Sequence, residues 1–349
     1  MKLFYLTPLT FPSRYVNRLQ VMKMSGAFTK QADFVLYIAE SHLSDEELFR
    51  EYNIQDQFSL KQVRKAKFPP RRIWQAWKFL PVVKNASPDV VWYVRDVLLA
   101  DWLSFFNKRF RSRYFFELHT LSRFSKRRYH RVLSHARGII TTNEEKKKDI
   151  VEWFGVPAEH ILVAPNGVDF DEFSVLKGRK KEIRGELGIE EHVLLVVYAG
   201  TDAKEYGTGI LREAAKLVQG TVMIISGKSR NEALKYMAAA DVLVAPYLGE
   251  SEHFQKYMSP MKLREYMAMG RPMVVSDLPS IRAYLPTEDC AYFTAAGDSQ
   301  DLVRKINDAL EHREEANKRA KSAYDLAHNG GFSWDRRAER ILEFMQKLS

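Results

Sequence analysis

Two hydrophobic patterns alternate along the chain. Short, nearly unbroken apolar runs at 2–7 (KLFYLT), 34–39 (FVLYIA), 90–94 (VVWYV), 114–119 (YFFELH), 138–142 (GIITT) and 161–165 (ILVAP) read as strands. Segments 123–135 and 143–154, between the later ones, have helical spacing. The second half repeats the scheme, with runs at 194–200 (LLVVYAG), 221–226 (TVMIIS), 241–246 (DVLVAP) and 272–276 (PMVVS) around helical segments at 208–218 and 230–240. Continuous apolar runs are expected of parallel strands buried on both faces. Repeated βα alternation therefore predicts an α/β fold of doubly wound parallel sheets. At 349 residues the chain exceeds one ordinary core, so two domains are expected. The turn residues Pro165, Asn166 and Gly167 place the junction within 164–173 (APNGVDFDEF).

In such sheets ligands collect beyond the C-terminal strand ends, where loops lead into helices. The segment 259–270 (SPMKLREYMAMG) lies there, after the 241–246 strand and a loop. Ser259 reads as its N-cap, Pro260 as the first helical residue, and Gly270 as its stop with Pro272 beyond. Lys262 then falls in the first turn, beside the positive end of the helix dipole, where a cation is unfavourable by about 0.3–1 kcal/mol. A phosphate at this helix start would reverse that penalty. Glu265, three residues on, is suited to accept hydrogen bonds from a ribose diol, so a nucleotide diphosphate is one reading. The other is a surface Lys262–Glu265 ion pair across one helical turn.

Charge divides unevenly. Residues 1–165 hold 28 Lys and Arg against 16 Asp and Glu, a net of +12, whereas the remainder nets −2. This asymmetry suits a polyanionic partner for the first half, either an anionic membrane surface or nucleic acid, or else solvated basic helix faces. The stretch 61–84 interleaves Trp74, Trp77 and Phe79 with cations, which fits an interfacial segment or aromatics buried in the first domain. Basic runs at 107–113 and 122–131 add to the charge. No RNA-binding or helix-turn-helix pattern is evident, so nucleic acid is not the expected partner.

Cys290 is the only cysteine, and the histidines show no ligand spacing, so no metal site is expected. Asp169 and Asp171 form a D-x-D, but it follows an Asn-Gly turn at the domain junction. No apolar run is long enough to span a bilayer, and the start of the chain reads as a first strand, not a signal peptide. A reducing cytoplasmic setting, with possible peripheral association at the inner membrane face, is the expectation.

Segment 259–285 (SPMKLREYMAMGRPMVVSDLPSIRAYL) resembles the donor-site signature of family 4 GT-B glycosyltransferases, in the subgroup reading SPxKLxEYMA. The interdomain segment 163–173, the 196–218 strand–loop–helix and the C-terminal 332–345 segment resemble that family in the same order. The resemblance implies two Rossmann-like domains facing a central cleft. Residues 1–165 would form the acceptor-side domain, with helix 333–349 crossing back onto it, and 166–332 the nucleotide-sugar domain. It implies a retaining, metal-independent enzyme that moves a sugar from a nucleotide diphosphate to a glycan or lipid-linked acceptor, in polysaccharide or glycoconjugate synthesis. No cofactor is implied, because the nucleotide-sugar is a substrate.

Carried over by position, Glu265 matches the ribose-binding glutamate. Ser259, Met261, Lys262 and Leu263 match the phosphate-receiving helix start, and Gly200 opens the diphosphate loop. Lys204 and Lys262 would stabilise the leaving diphosphate. His119 matches a histidine near donor sugar and acceptor, and Arg14 and Asn17 lie in the acceptor-side loop. The sequence also departs from the family. Tyr257 stands where the first motif glutamate is usual, with Glu250 or Glu252 the candidate replacement, and Thr201 and Tyr206 stand where the loop Arg and Lys are usual. These departures keep a noncatalytic nucleotide- or glycan-binding protein on the same fold as the alternative, with nucleic-acid binding behind it.

Overall fold

A computed structural model describes residues 1–13, 15–64, 71–121 and 126–349, with Arg71 and Arg72 described by backbone alone. The chain forms two compact units, residues 1–165 with 334–349, and residues 166–333.

In unit 1 seven strands form one parallel sheet: β1 (Lys2–Leu6), β2 (Asp33–Ile38), β3 (Ser59–Gln62), β4 (Val90–Val94), β5 (Tyr114–Leu118), β6 (Gly138–Thr141) and β7 (Ile161–Val163). Their order is β3-β2-β1-β4-β5-β6-β7, so the winding reverses between β1 and β4. The six apolar runs of the first half supply six of these strands. β3 was not anticipated, because Ser59, Lys61 and Gln62 are exposed on an edge strand that needs no apolar face. The side sheet of Thr10–Phe11 with Glu40–Ser41 is too short to leave a periodic signal. Of the helix expected at 123–135, Lys126–His135 is observed, and residues 122–125 lie outside the described residues.

Helix Val16–Thr29 is buried continuously from Leu19 to Phe28. The sheet covers one side of it and the C-terminal helix Trp334–Lys347 packs on another. That last helix is amphipathic, burying Trp334, Ala338, Ile341, Leu342 and Met345. Arg337 is the exception on its inner face. Its Nε donates to the carbonyls of Ala164 (3.1 Å) and Pro165 (3.0 Å), and its Nη2 donates to Glu117 on β5 (2.5 Å).

In unit 2 five parallel strands, β8 (Leu195–Ala199), β9 (Thr221–Ile225), β10 (Val242–Ala245), β11 (Met273–Ser276) and β12 (Tyr292–Thr294), take the order β9-β8-β10-β11-β12. The reversal here falls between β8 and β10. β12, only three residues long, was missed in the sequence. Tyr266 clamps the reversal, its hydroxyl accepting from the Ala199 amide (3.0 Å) and donating to the Val244 carbonyl (3.3 Å). Among the described residues no helix is long and apolar enough to cross a membrane.

Arg337 and Glu117 are both almost fully buried, so removing one leaves the other charge unpaired in the interior. Arg337→Ala is expected to destabilise the protein by about 3–5 kcal/mol, read by urea unfolding. An unchanged unfolding midpoint would show that the pair does not hold the C-terminal helix.

Candidate functional site

The unit 2 site grows from the end of β8. Gly200 follows it with φ +150°, and a Cβ there would lie 2.7 Å from Lys262 Nζ, so this position requires glycine. Across the reversal, helix Met261–Met269 begins after Pro260, whose ψ of 118° makes it the N-cap. The expected cap therefore shifts by one residue. Ser259 is not the cap; its carbonyl accepts from Asn166 Nδ2 at 3.2 Å. Proline has no side-chain acceptor, so no side chain caps the first-turn amides, which include those of Met261, Lys262 and Leu263. Gly270 stops the helix in the left-handed conformation, as the sequence predicted.

Lys262 is not half of a surface ion pair. Its Nζ is buried, without a hydrogen-bond partner among the described residues, 3.7 Å from the Tyr198 ring centroid, 5.3 Å from that of Tyr206 and 5.4 Å from that of Tyr247. Burial pushes the amine down to about 7, against the pull of Glu265. The side chain as a whole keeps some exposure, because its stem reaches the surface while the ammonium does not.

Glu265 is held from another direction. Arg230 Nη1 donates to its Oε1 at 2.6 Å, and Arg230 Nη2 donates to Glu172 at 3.0 Å. Burial opposes the Arg230 charge, but Glu265 and Glu172 hold its pKa above the ordinary value. Among the described residues Glu265 Oε2 carries no other hydrogen bond, which leaves it for a ligand. Sequence reading missed Arg230, although a signal existed. Ser229 and Glu232 form a capping box that places Arg230 first in helix Arg230–Ala239, a cation at a positive helix end like Lys262.

Other positions divide. Lys204 and Glu250 meet at 3.1 Å on an exposed edge of unit 2. Tyr206, standing for the usual loop lysine, walls the Lys262 cage, and Tyr257, standing for the usual glutamate, is buried. Asp169 caps helix Phe170–Lys177 through the Glu172 amide at 3.2 Å.

In unit 1 a cavity of about 240 Å³ opens at the β1/β4 reversal, lined by Thr7, Asn17, Arg95, Asp96, His119 and Tyr129 among others. It brings together two predicted residues, Asn17 and His119; Arg14 lies outside the described residues. Arg95 bridges the cavity wall, donating to the Asn17 carbonyl and to Gln20, each at 3.2 Å. His119 Nε2 sits 3.0 Å from Glu117 Oε1. Burial, reinforced by the Arg95 charge, pushes His119 down to about 4, so the imidazole is neutral at neutral pH. Burial opposes the Glu117 charge, but His119 first, then Arg337 and Arg95, keep the carboxyl well below the usual range. Lys146 is buried nearby, donating to Thr142 Oγ1 at 2.6 Å, and its amine is pushed down to about 7 by burial. Its place in a run of three lysines reads in sequence as a solvated face.

Two family models match the chain, "Glycosyltransferase Family 4" over residues 21–172 and "Glycosyl transferases group 1" over residues 181–312. Together the two models span most of the chain, whose sequence is thus similar to family 4 glycosyltransferases. The chain is similar to a D-inositol 3-phosphate glycosyltransferase of Geodermatophilus obscurus, at 22% identity over 250 residues, 60% of this chain and 52% of that one. It thus spans about half the length of that curated relative. Its fold is similar to Anabaena HepE solved with UDP and glucose, with TM-score 0.75 and 15% identity over 99% of this chain and all of that one. A Rickettsia africae glycosyltransferase is similar too, with TM-score 0.74 and 13% identity over 99% and 98% of the two chains. These structures share the GT-B fold of two Rossmann-like domains with this chain.

The Lys262 shift has a consequence for stability. Its pKa falls from 10.5 in the unfolded chain to about 7 in the fold. Below 7 the amine is charged in both states and the full burial cost applies; between the two values only the unfolded chain keeps the proton, so stability rises with pH. Lys262→Met is therefore expected to raise stability by roughly 1–3 kcal/mol near pH 6, with the gain shrinking toward pH 10. Urea melts across that range check it, and a loss of stability at every pH would contradict the buried-amine account.

Proposed function

We propose that the protein is a retaining glycosyltransferase using a nucleotide diphosphate sugar, with unit 2 as the donor side. One observation carries this reading: an orphaned, buried lysine ammonium beside an uncapped helix start at the sheet reversal. Both need an anion, and a diphosphate satisfies both. Glu265, fixed by Arg230, would accept the ribose hydroxyls on its open oxygen. The binding of UDP and UDP-glucose by Anabaena HepE supports a nucleotide-sugar as the ligand class.

In the proposed reaction the bond from the sugar's anomeric carbon to the phosphate oxygen breaks. The acceptor oxygen bonds to that carbon on the same face, and its proton passes to the departing phosphate. The first-turn amides of Met261 and Leu263, with Lys262 and Lys204, would stabilise the charge that develops on the leaving group. A neutral His119 would donate or accept a hydrogen bond at the sugar or acceptor without adding charge. The acceptor proposed is a glycan or lipid-linked glycan, in polysaccharide or glycoconjugate synthesis, and neither metal nor cofactor is required.

A second reading, a noncatalytic nucleotide binder, draws on Tyr206 and Tyr257 standing where ligand-contacting charges are usual. Both readings need the donor site; only the first needs turnover.

Calorimetric titration of UDP, GDP and ADP tests the site. Glu265→Ala is expected to weaken the nucleotide that binds by about 10²-fold or more, from two charge-assisted hydrogen bonds of about 1.5–3 kcal/mol each. Equal affinity in wild type and variant would remove Glu265 from the site. Turnover, measured as release of nucleoside diphosphate from nucleotide-sugars, is expected to persist in EDTA. Strict dependence on Mn²⁺ or Mg²⁺ would contradict the metal-free mechanism, and nucleotide binding without turnover would favour the second reading.

A further inference from the structure

Two neighbouring helices of unit 1, Arg71–Asn85 and Val97–Phe106, pack against each other. The first buries Ala76, Phe79, Leu80 and Val83, and the second buries Leu99, Ala100 and Leu103. Each then has a second apolar face turned outward. Trp74 is 51% exposed, Trp77 48% and Phe105 68%. These rings are not scattered. Trp77 lies 6.5 Å from Trp74 and 5.0 Å from Phe106, and Phe106 lies 5.5 Å from Trp102 and 5.1 Å from Phe105. Five aromatic side chains from two helices therefore form one continuous surface.

Soluble surfaces seldom carry such a contiguous aromatic patch without a partner. The charge beside it indicates which partner. A cavity of about 490 Å³ adjoins the patch and shares Phe106 as a wall. Lys84, Lys108, Arg109 and Arg113 line it, with no acidic residue among the lining. Arg113 is partly committed, donating to the carbonyls of Pro88 and Val90. Among the described residues no carboxylate pairs with Lys84, Lys108 or Arg109. Beyond the aromatic helix face, Arg128 and Arg131 gather on Asp101.

We propose that this aromatic patch and its cationic cavity form a docking surface for an anionic lipid bilayer. Tryptophan and phenylalanine rings favour the boundary between acyl chains and headgroups, and lysine and arginine beside them are drawn to anionic headgroups. The cavity takes a lipid phosphate while the five rings enter the interface. The rings pack tilted, edge-on or stacked against one another and so present a broad apolar face, unlike the separated platforms on which nucleic-acid bases stack. This surface is independent of the donor chemistry, so membrane binding and nucleotide binding can fail separately.

Vesicle flotation of the full chain tests it, with phosphatidylcholine vesicles and phosphatidylcholine–phosphatidylglycerol vesicles. Binding is expected to the anionic vesicles, much less to the neutral ones, and to weaken as salt rises. Trp77→Ser with Phe105→Ser is expected to reduce anionic-vesicle binding at least about tenfold, as is Lys84→Glu with Arg109→Glu. Unchanged near-ultraviolet circular dichroism of the charge variants and unchanged nucleotide affinity of both pairs would show the fold intact. Equal recovery on both vesicle types, no recovery on either, or variants that float like wild type would overturn the proposal. So would a dimer in light scattering that these variants abolish, or binding of single-stranded RNA lost in the variants while vesicles are ignored.

Discussion

A lysine ammonium taken out of water, with aromatic rings around it and no anion beside it, is the constraint on which unit 2 turns. The arrangement around Lys262 is costly in the absence of ligand. Cation–π contacts return up to about 2 kcal/mol to a desolvated cation, less than its hydration is worth, so the amine gives up its proton more easily. Neighbouring features follow from this. Gly200 suits its φ of +150° and leaves the Nζ its space. Tyr266 ties β8 to β10 and fixes the distance the lysine must span. Arg230 takes Glu265 aside, so the carboxylate does not neutralise the ammonium directly.

Unit 1 solves a related problem differently. At its own sheet reversal it buries Glu117 against Arg337 and keeps His119 neutral beside Arg95. The charges are paired there, which suits a frame that holds a neutral group in place. In unit 2 the charge is left open, which suits a site completed by its ligand. Both sites lie beyond the C-terminal strand ends where the winding reverses, as the topology of open α/β sheets requires.

How much of this was legible depended on whether the signal was local. The parallel strands show because each is an apolar run of its own, and Lys262 shows because a cation at a positive helix end is an anomaly within one turn. Gly270 was legible for the same reason. The one-residue shift at Pro260 was not, because its φ suits both the cap and the first turn and only ψ separates them. Long-range partners were invisible. Arg230 and Glu265 are 35 residues apart, and Arg337 and Glu117 are 220 apart. In sequence each is one ordinary charge on one helix or strand. Trp102, Phe105 and Phe106 give no local sign of their exposure, since nothing in the sequence shows that the helix already buries Leu99, Ala100 and Leu103 on its other side.

The account rests on the state of one amine, so the most direct measurement is the titration of Lys262 itself. Protein labelled at the lysine ε-carbon would be followed by NMR from about pH 5 to 11, with Lys262→Met assigning the signal. The account predicts an apo midpoint near 7 and a rise of more than about one unit when UDP or the nucleotide that binds is added, because a diphosphate stabilises the charged form. An apo midpoint near 10, or a midpoint that ignores bound nucleotide, would contradict it.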